Sequence, residues 1–369
     1  MKKFQLIIED DFELMGNGLG NVASHQYLPT LFLMKLAKSL GLQLSFMVDV
    51  AQQLVFNEMA NSNRNLKTQK LLWDDTVCQM KEEGFDVQLH LHAQWLGYEY
   101  KNGFFYLDKN WSIARVKDPD RKKLIKKSID YLNTLLKPLD ADYKVKAFKA
   151  GSWALQPSKG LFSDFEDLGI NLVLGARKDM NVKGLGVNYE NMEEETLPYY
   201  PNHDDLTQVS KKGNIIMLPL TYVYPSWKDF LDLGRTAFLE SRIKRKIDSP
   251  YLKGLVPEEI KKNSPTGEKI RFRAKASPYL THLKIGGPRS FSYLKNTFDK
   301  SIKRLRKIEG NGIPIVIESH TKNFINNYKP IEQFLTYVVE KYGHEIDFIS
   351  LSEYSRQIEK GEILIKERS

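Results

Sequence analysis

The sequence predicts an α/β fold: a parallel barrel of seven or eight strands with an insertion between the sixth and seventh. Three observations carry this expectation. Short apolar runs alternate with helical patterns along the chain, the order that builds parallel sheets. Most of the apolar runs are followed by a helix, which fits a barrel better than an open sheet. The length, 369 residues, suits one α/β barrel with insertions.

Phe4–Asp10 (FQLIIED) reads as a buried first strand, and Gln26–Leu40 as a helix closed by Gly41. Leu42–Asp49 is the second strand, and Lys67–Glu83 a helix ending at Gly84, a glycine suited to a C-cap. Phe85–His92 (FDVQLHLH) is the third strand. Asp120–Lys137 follows as a helix, with Leu124, Ile125, Ile129, Leu132 and Leu136 near helical spacing. Lys144–Phe148 is the fourth strand, Lys159–Leu168 a helix stopped by Gly169, Ile170–Leu174 the fifth strand and Asn214–Leu218 the sixth. Ile313–Glu318 (IPIVIE) is the seventh, flanked by helices over Ser290–Ile308 and Pro330–Tyr342, and Ile346–Leu351 is a candidate eighth. Two segments break the alternation. Lys178–Lys212 is loop-like, and Tyr224–Gly287 reads as an insertion, helical over Lys228–Lys246. The expected boundaries are a barrel over 1–223 and 288–369 and a basic insertion or cap over 224–287.

Composition narrows the function classes. Apolar residues at 41% and charged residues at 27% are ordinary for a soluble globular chain. The single cysteine, Cys78, excludes an intramolecular disulfide and a Cys-based zinc cluster; it reads as a small buried hydrophobe. No stretch approaches the roughly 18 to 20 apolar residues of a membrane span. The apolar run near the N-terminus, Leu6 to Ile8 with Phe4, ends in three acids and is too short for a secretory signal, so a cytoplasmic location is expected. The net charge of +9 is uneven. Arg235–Glu309 carries 20 Lys and Arg against 7 Asp and Glu, which leaves the rest of the chain acidic. Such a segment suits phosphate, an anionic membrane face or an acidic glycan. Its aromatic residues are sparse and no nucleic-acid module is visible, so nucleic acid is not an expected partner.

Polar residues fall at the C-terminal ends of the predicted strands, which converge on one rim in a parallel barrel. Glu9, Asp10 and Asp11 end the first strand, with Glu13 beyond. Adjacent acids repel, and a metal ion is the simplest way to offset them. In the third strand, Gln88, His90 and His92 share one face. Two imidazoles about 7 Å apart at a strand end can grip one divalent ion. Lys149 places a cation at the end of the fourth strand, beside Gly151, and Trp95 and Trp153 offer flat faces for a sugar ring. His320 ends the seventh strand, where it can act as a general acid or base. His25 and His203 fall in predicted loops within reach of the rim, whereas His282 and His344 read as peripheral. A metal with open positions, an acid as base and a histidine as acid make a set for hydrolysis of an amide or ester.

The order of these motifs resembles the polysaccharide deacetylase (NodB-homology) family, in its polysaccharide-biosynthesis branch. The matching strings are Asp10-Asp11, His90-Leu91-His92-Ala93-Gln94-Trp95, Phe148-Lys149-Ala150-Gly151-Ser152-Trp153 and His320. The resemblance covers roughly residues 4–222 and 313–351. It implies a distorted (β/α)7 barrel and a metal-dependent deacetylase acting on an N-acetylated or O-acetylated sugar. It makes Asp10 the base, Asp11, His90 and His92 the ligands of a divalent ion (zinc by ligand type), and His320 the acid, with Lys149 supporting Asp10 and with Trp95, Trp153 and Tyr222 shaping the sugar site. A cytoplasmic setting would favour a lipid- or nucleotide-linked glycan, with the basic segment near the sugar diphosphate or the inner membrane face. Two features depart from the family. Its metal histidines are usually four apart and here are two apart, which leaves Glu9, Glu13 or His25 as alternative ligands. Lys149 stands where an arginine is expected, and a lysine cannot clamp a carboxylate with two parallel hydrogen bonds. The alternatives are a carbohydrate-binding protein that has lost catalysis, and a glycoside hydrolase using two carboxylates such as Asp10 and Glu318.

Overall fold

The structure, a computed structural model, describes residues 2–240, 281–324 and 328–367. Its main sheet has nine strands: β1 (Phe4–Phe12), β2 (Ser45–Asp49), β3 (Asp86–Leu91), β4 (Ala147–Ala150), β5 (Leu172–Leu174), β6 (Ile216–Leu218), β7 (Lys284–Ile285), β8 (Ile313–Ser319) and β9 (Ile346–Phe348). They run in the order β6-β5-β4-β3-β2-β1-β8-β7, with β9 against the start of β1, and every pairing is parallel. The sheet curls until the chain beyond β6 meets β8: Val316 N–H donates to Thr221 Oγ1 at 2.8 Å, and Leu283 N–H to Thr221 O at 2.7 Å. This is the parallel barrel that the alternation of apolar runs predicts, with the distortion that the family resemblance implies.

Both sheet faces are apolar, as a parallel sheet covered on two sides requires. Leu6, Ile8, Phe46, Val48, Leu89, Phe148 and Ile317 point outward into the core shared with the surrounding helices. Ile7, Met47, Ala147, Leu172, Leu218 and Val316 point inward and fill the barrel. Helix ends fall where local chemistry sets them. The helix Leu28–Leu40 stops at Gly41 and Lys159–Leu168 at Gly169, both left-handed (φ 66° and 78°). Asn63 caps Arg64–Glu82 by accepting from the N–H groups of Asn65 and Leu66.

Two expectations about the C-terminal third change. Ile346–Phe348 adds to the first half of β1, and the residues after it form a helix, Leu351–Glu359. That helix closes the N-terminal end of the barrel: Leu351, Tyr354 and Ile358 join the inward-facing residues, and Ser352 Oγ donates to Asp86 Oδ1 at 2.7 Å. The predicted insertion also ends earlier than Gly287. Thr281–His282 pairs with Tyr222–Val223, and Lys284–Ile285 is a strand of the barrel beside β8. A two-residue strand carries too little pattern to be read from sequence. Of the helix expected over 228–246, Trp227–Glu240 is present; the rest, and most of the basic segment, lies outside the described residues. Among the described residues no helix is long and apolar enough to cross a membrane.

Candidate metal centre

Alternation along the strands sorts the polar residues of the rim. On β1, Glu9 and Asp11 face inward, with Glu13 continuing the same side. Opposite them stand His90 and His92 from β3, Lys149 from β4, and Glu318 and His320 from β8. The register sets several of these level with each other: His90 is paired with Lys149, and Glu9 with Glu318. All eight side chains are buried.

His90 and His92 meet one carboxylate. His90 Nε2 lies 3.2 Å from Glu13 Oε2, and His92 Nε2 contacts the same oxygen. The other ring nitrogens are committed elsewhere. His90 Nδ1 lies 2.9 Å from the Lys149 carbonyl oxygen, and His92 Nδ1 lies 2.8 Å from Gln94 Oε1. Gln94 donates its amide N–H to Gly16 O at 2.7 Å, which turns its oxygen toward His92. Each Nδ1 thus faces an oxygen acceptor, the orientation that turns Nε2 toward the rim and in which an imidazole binds metal once Nε2 is free of its proton. Glu13, His90 and His92 offer ligand atoms that all lie within 4.8 Å of one another. Two imidazole nitrogens and a carboxylate oxygen suit zinc and leave a coordination position open. Burial alone would pull the His92 imidazolium down, but the Glu13 carboxylate outweighs it and pushes its pKa up to about 9: the site attracts positive charge, and a metal ion bound there would take the place of the Nε2 proton. Gly151 permits this packing, since a Cβ there would lie 2.7 Å from the His92 ring.

Lys149, fully buried, is the hub of the second half. Its Nζ lies 2.6 Å from Glu9 Oε1, 2.9 Å from Asp11 Oδ2 and 3.0 Å from Glu318 Oε2. Burial works against its charge, but Asp11, Glu318 and Glu9 together raise its pKa well above the ordinary lysine value. Glu318 also accepts from Trp153 Nε1 at 2.7 Å and Lys284 Nζ at 2.6 Å, and lies 3.0 Å from His282 Nε2. Burial raises the pKa of Asp11, but Lys149, His90 and His320 outweigh it and hold the carboxyl well below the usual range. His320 Nε2 lies 3.1 Å from Asp11 Oδ2. Burial and Lys284 push its imidazolium down to about 4, so the ring is neutral at neutral pH. Asp11 Oδ1 is buried without a hydrogen-bond partner among the described residues. Lys322 Nζ closes the edge by donating to Glu13 Oε1.

The structure brings Asp11, His90, His92, Lys149, Trp153 and His320 together and separates three other predicted residues from them. Asp10 faces the opposite side of β1, where its carboxylate accepts from Ser319 Oγ at 2.6 Å and Thr321 Oγ1 at 3.0 Å; neighbours in a strand cannot share a face. Trp95, 3% exposed, is enclosed by Phe56 and Phe105 and offers no free ring face. Tyr222 is likewise occupied. The Arg304 guanidinium stacks 3.7 Å from its ring centroid, and its hydroxyl donates to Glu195 Oε2 at 2.6 Å. Conversely, His282, read as peripheral, touches Glu318, and Lys284 joins it. Neither lies on a strand long enough to show a pattern. The place of Glu13 was readable from alternation, since it shares the parity of Glu9 and Asp11.

No family model matches the sequence, and no curated protein matches it. Solved structures do share its shape. A protein described as a polysaccharide deacetylase from Mycobacterium smegmatis aligns over 100% of this chain and 94% of its own, with 11% identity and a TM-score of 0.52. PuuE allantoinase aligns over 98% and 93%, with 10% identity and a TM-score of 0.50. A GH57 branching enzyme from Thermococcus kodakaraensis aligns over 100% and 73%, with 12% identity and a TM-score of 0.51. At such identities the likeness is one of fold, and the fold of this chain is the one the motif order implied, that of the polysaccharide deacetylases.

Proposed function

We propose that this chain is a metal-dependent hydrolase that removes an acetyl group from an N-acetylated or O-acetylated sugar. One observation carries the reading: His90 and His92, their Nδ1 atoms held by oxygen acceptors, aim both Nε2 atoms at Glu13 on the barrel rim. His90, His92 and Glu13 would hold the ion, with zinc favoured by the donor set. Such an ion polarises the acyl oxygen and lowers the pKa of a bound water.

The remaining roles belong to the chain. Asp11 replaces Asp10 as the base in this reading. It lies on the same strand face as Glu13, Lys149 keeps it ionised, and its Oδ1 is the oxygen left to take a proton. Lys149 thereby does by point charge what an arginine would do with two hydrogen bonds. His320 is neutral at rest, and its Nε2 reaches Asp11 Oδ2, so it stands where it can relay the proton that Asp11 takes up to the leaving amine or alcohol. Trp153, half-buried beside Glu318 and His282, is the aromatic side chain that borders the substrate. The glycoside hydrolase alternative needs two free carboxylates. Asp10 faces away from the site and Glu318 is engaged by Lys149, Trp153 and Lys284.

The test pairs metal analysis with acetate release. Mass spectrometry of the purified protein should find about one divalent ion per chain, lost in Glu13→Ala. The loaded protein should release acetate from N-acetylglucosamine oligomers or their O-acetylated counterparts. Bound metal and bound sugar without acetate release would favour the carbohydrate-binding alternative. No metal after reconstitution would overturn the hydrolytic reading.

A further inference from the structure

We infer that Asp10 is a positioning residue that aims His320 into the site, an inference that rests on the deacetylase reading for its catalytic consequence. Asp10 is fully buried, and among the described residues its side-chain partners are two hydroxyls rather than a cation. Its register partner across the sheet is Ser319. One carboxylate oxygen accepts from Ser319 Oγ at 2.6 Å and the other from Thr321 Oγ1 at 3.0 Å, and the Thr321 backbone N–H adds a third bond. These are the two residues that flank His320. The carboxylate thus ties down the backbone on both sides of the imidazole, on the face opposite the one into which it projects.

The hold is needed because β8 ends at this point. The strand runs through Ser319, and a single turn of 3-10 helix, Thr321–Asn323, begins directly after His320. His320 sits at the junction with extended backbone (φ −139°, ψ 98°). Beyond Ser319 no strand register fixes its direction; the Asp10 bonds to Thr321 do so instead. Keeping a carboxylate in an apolar environment costs stability unless hydrogen bonds satisfy it. An apolar residue would fill this outward position on β1, as Ile8 and Phe12 do. Exact placement of a proton-transfer group is a reason to retain the carboxylate, since a displacement of about 1 Å can lower turnover about 100-fold.

The experiment compares Asp10→Ala and Asp10→Asn in the full-length, metal-loaded protein and in a His320→Ala background, with NMR of the histidine ring Cε1–H signals as a second readout. The His320 signal is identified by its loss in His320→Ala. Asp10→Ala should lower kcat about 10- to 100-fold with KM and metal content unchanged. It should shift the His320 signal and leave those of His90 and His92 in place. Asp10→Asn, which keeps an acceptor and the shape, should recover most of the rate. In the His320→Ala background the Asp10 substitution should cost nothing further, because the two act as one unit. An equal loss in that background, or an unmoved His320 signal, overturns the inference while the deacetylase reading stands. If the parent protein releases no acetate, that reading falls and the NMR arm decides the clamp: a shifted His320 signal supports it and an unmoved one overturns it. Should Asp10→Ala not fold, Thr321→Val removes the hydroxyl bond beside His320 and is judged by the same signal.

Discussion

Replacing Lys149 by methionine removes the cation that holds Glu9, Asp11 and Glu318 together. All three carboxylates are within 3.0 Å of its Nζ and shielded from water. Burial already raises the Glu9 carboxyl well above its ordinary pKa, so without Lys149 the two carboxylates of Asp11 and Glu318 face one another, and the least costly response is uptake of a proton by one of them. Keeping a carboxyl of ordinary pKa near 4.3 protonated at pH 7 costs about 4 kcal/mol, at 1.36 kcal/mol per unit. That agrees with the roughly 3–5 kcal/mol lost when a buried ion pair is broken from one side. For 369 residues the entropy of unfolding is about 0.8 kcal/mol per kelvin, so the melting temperature should fall about 5 °C. The proton costs less as the medium supplies it. At pH 5 the same penalty is about 1 kcal/mol, and the deficit should shrink to about 1 °C. Thermal melts of the parent and Lys149→Met at both pH values check this, with Lys149→Arg as the variant that keeps the charge. A Lys149→Met protein melting within about 1 °C of the parent at pH 7, or a deficit of equal size at pH 5, would refute the reasoning.

Two further predictions concern other parts of the barrel. Tyr354 closes its floor with a fully buried hydroxyl that has no hydrogen-bond partner among the described residues; Tyr354→Phe should raise stability by about 1 kcal/mol in urea unfolding, and a loss of that size would show that the hydroxyl is satisfied after all. In the fold, burial pushes the His282 imidazolium down to about 4, although Glu318 opposes it, whereas unfolded it titrates near 6.5. The unfolded chain therefore binds the extra proton between those values, and the contribution is complete above pH 6.5 and lost as pH falls toward 4, by about 2–3 kcal/mol at pH 4.5. His282→Gln should flatten the fall in melting temperature between pH 6.5 and 4.5; parallel curves for the two proteins would count against a neutral, buried His282.

Much of the fold was legible in the sequence because a parallel barrel writes its order locally. Apolar runs marked β1 to β6 and β8, helical spacing marked most of the helices between them though not Val50–Met59, and Gly41 and Gly169 marked two of their ends. Period-two alternation also told which histidines share a face. What escaped were elements whose pattern is too short to see, such as Lys284–Ile285 with His282 beside it, and the Leu351–Glu359 helix, whose start was absorbed into a strand.

The chemistry of the rim was decided only by the tertiary structure. The sequence determined that Glu9, Asp11 and Glu13 have one parity and Asp10 the other, and that His90 and His92 project together. It did not say which parity faces the interior, because both faces of a covered parallel strand are apolar and the run Leu6-Ile7-Ile8 reads the same from either side. Closure of the sheet settled the matter. It brought Lys149, 138 positions beyond Asp11 in the numbering, into the gap between three carboxylates, turned Asp10 toward Ser319 and Thr321, and drew Trp95 and Tyr222 into contacts that leave them no face for a ligand. Distances between residues far apart in sequence follow from strand order and register, and a local pattern carries neither.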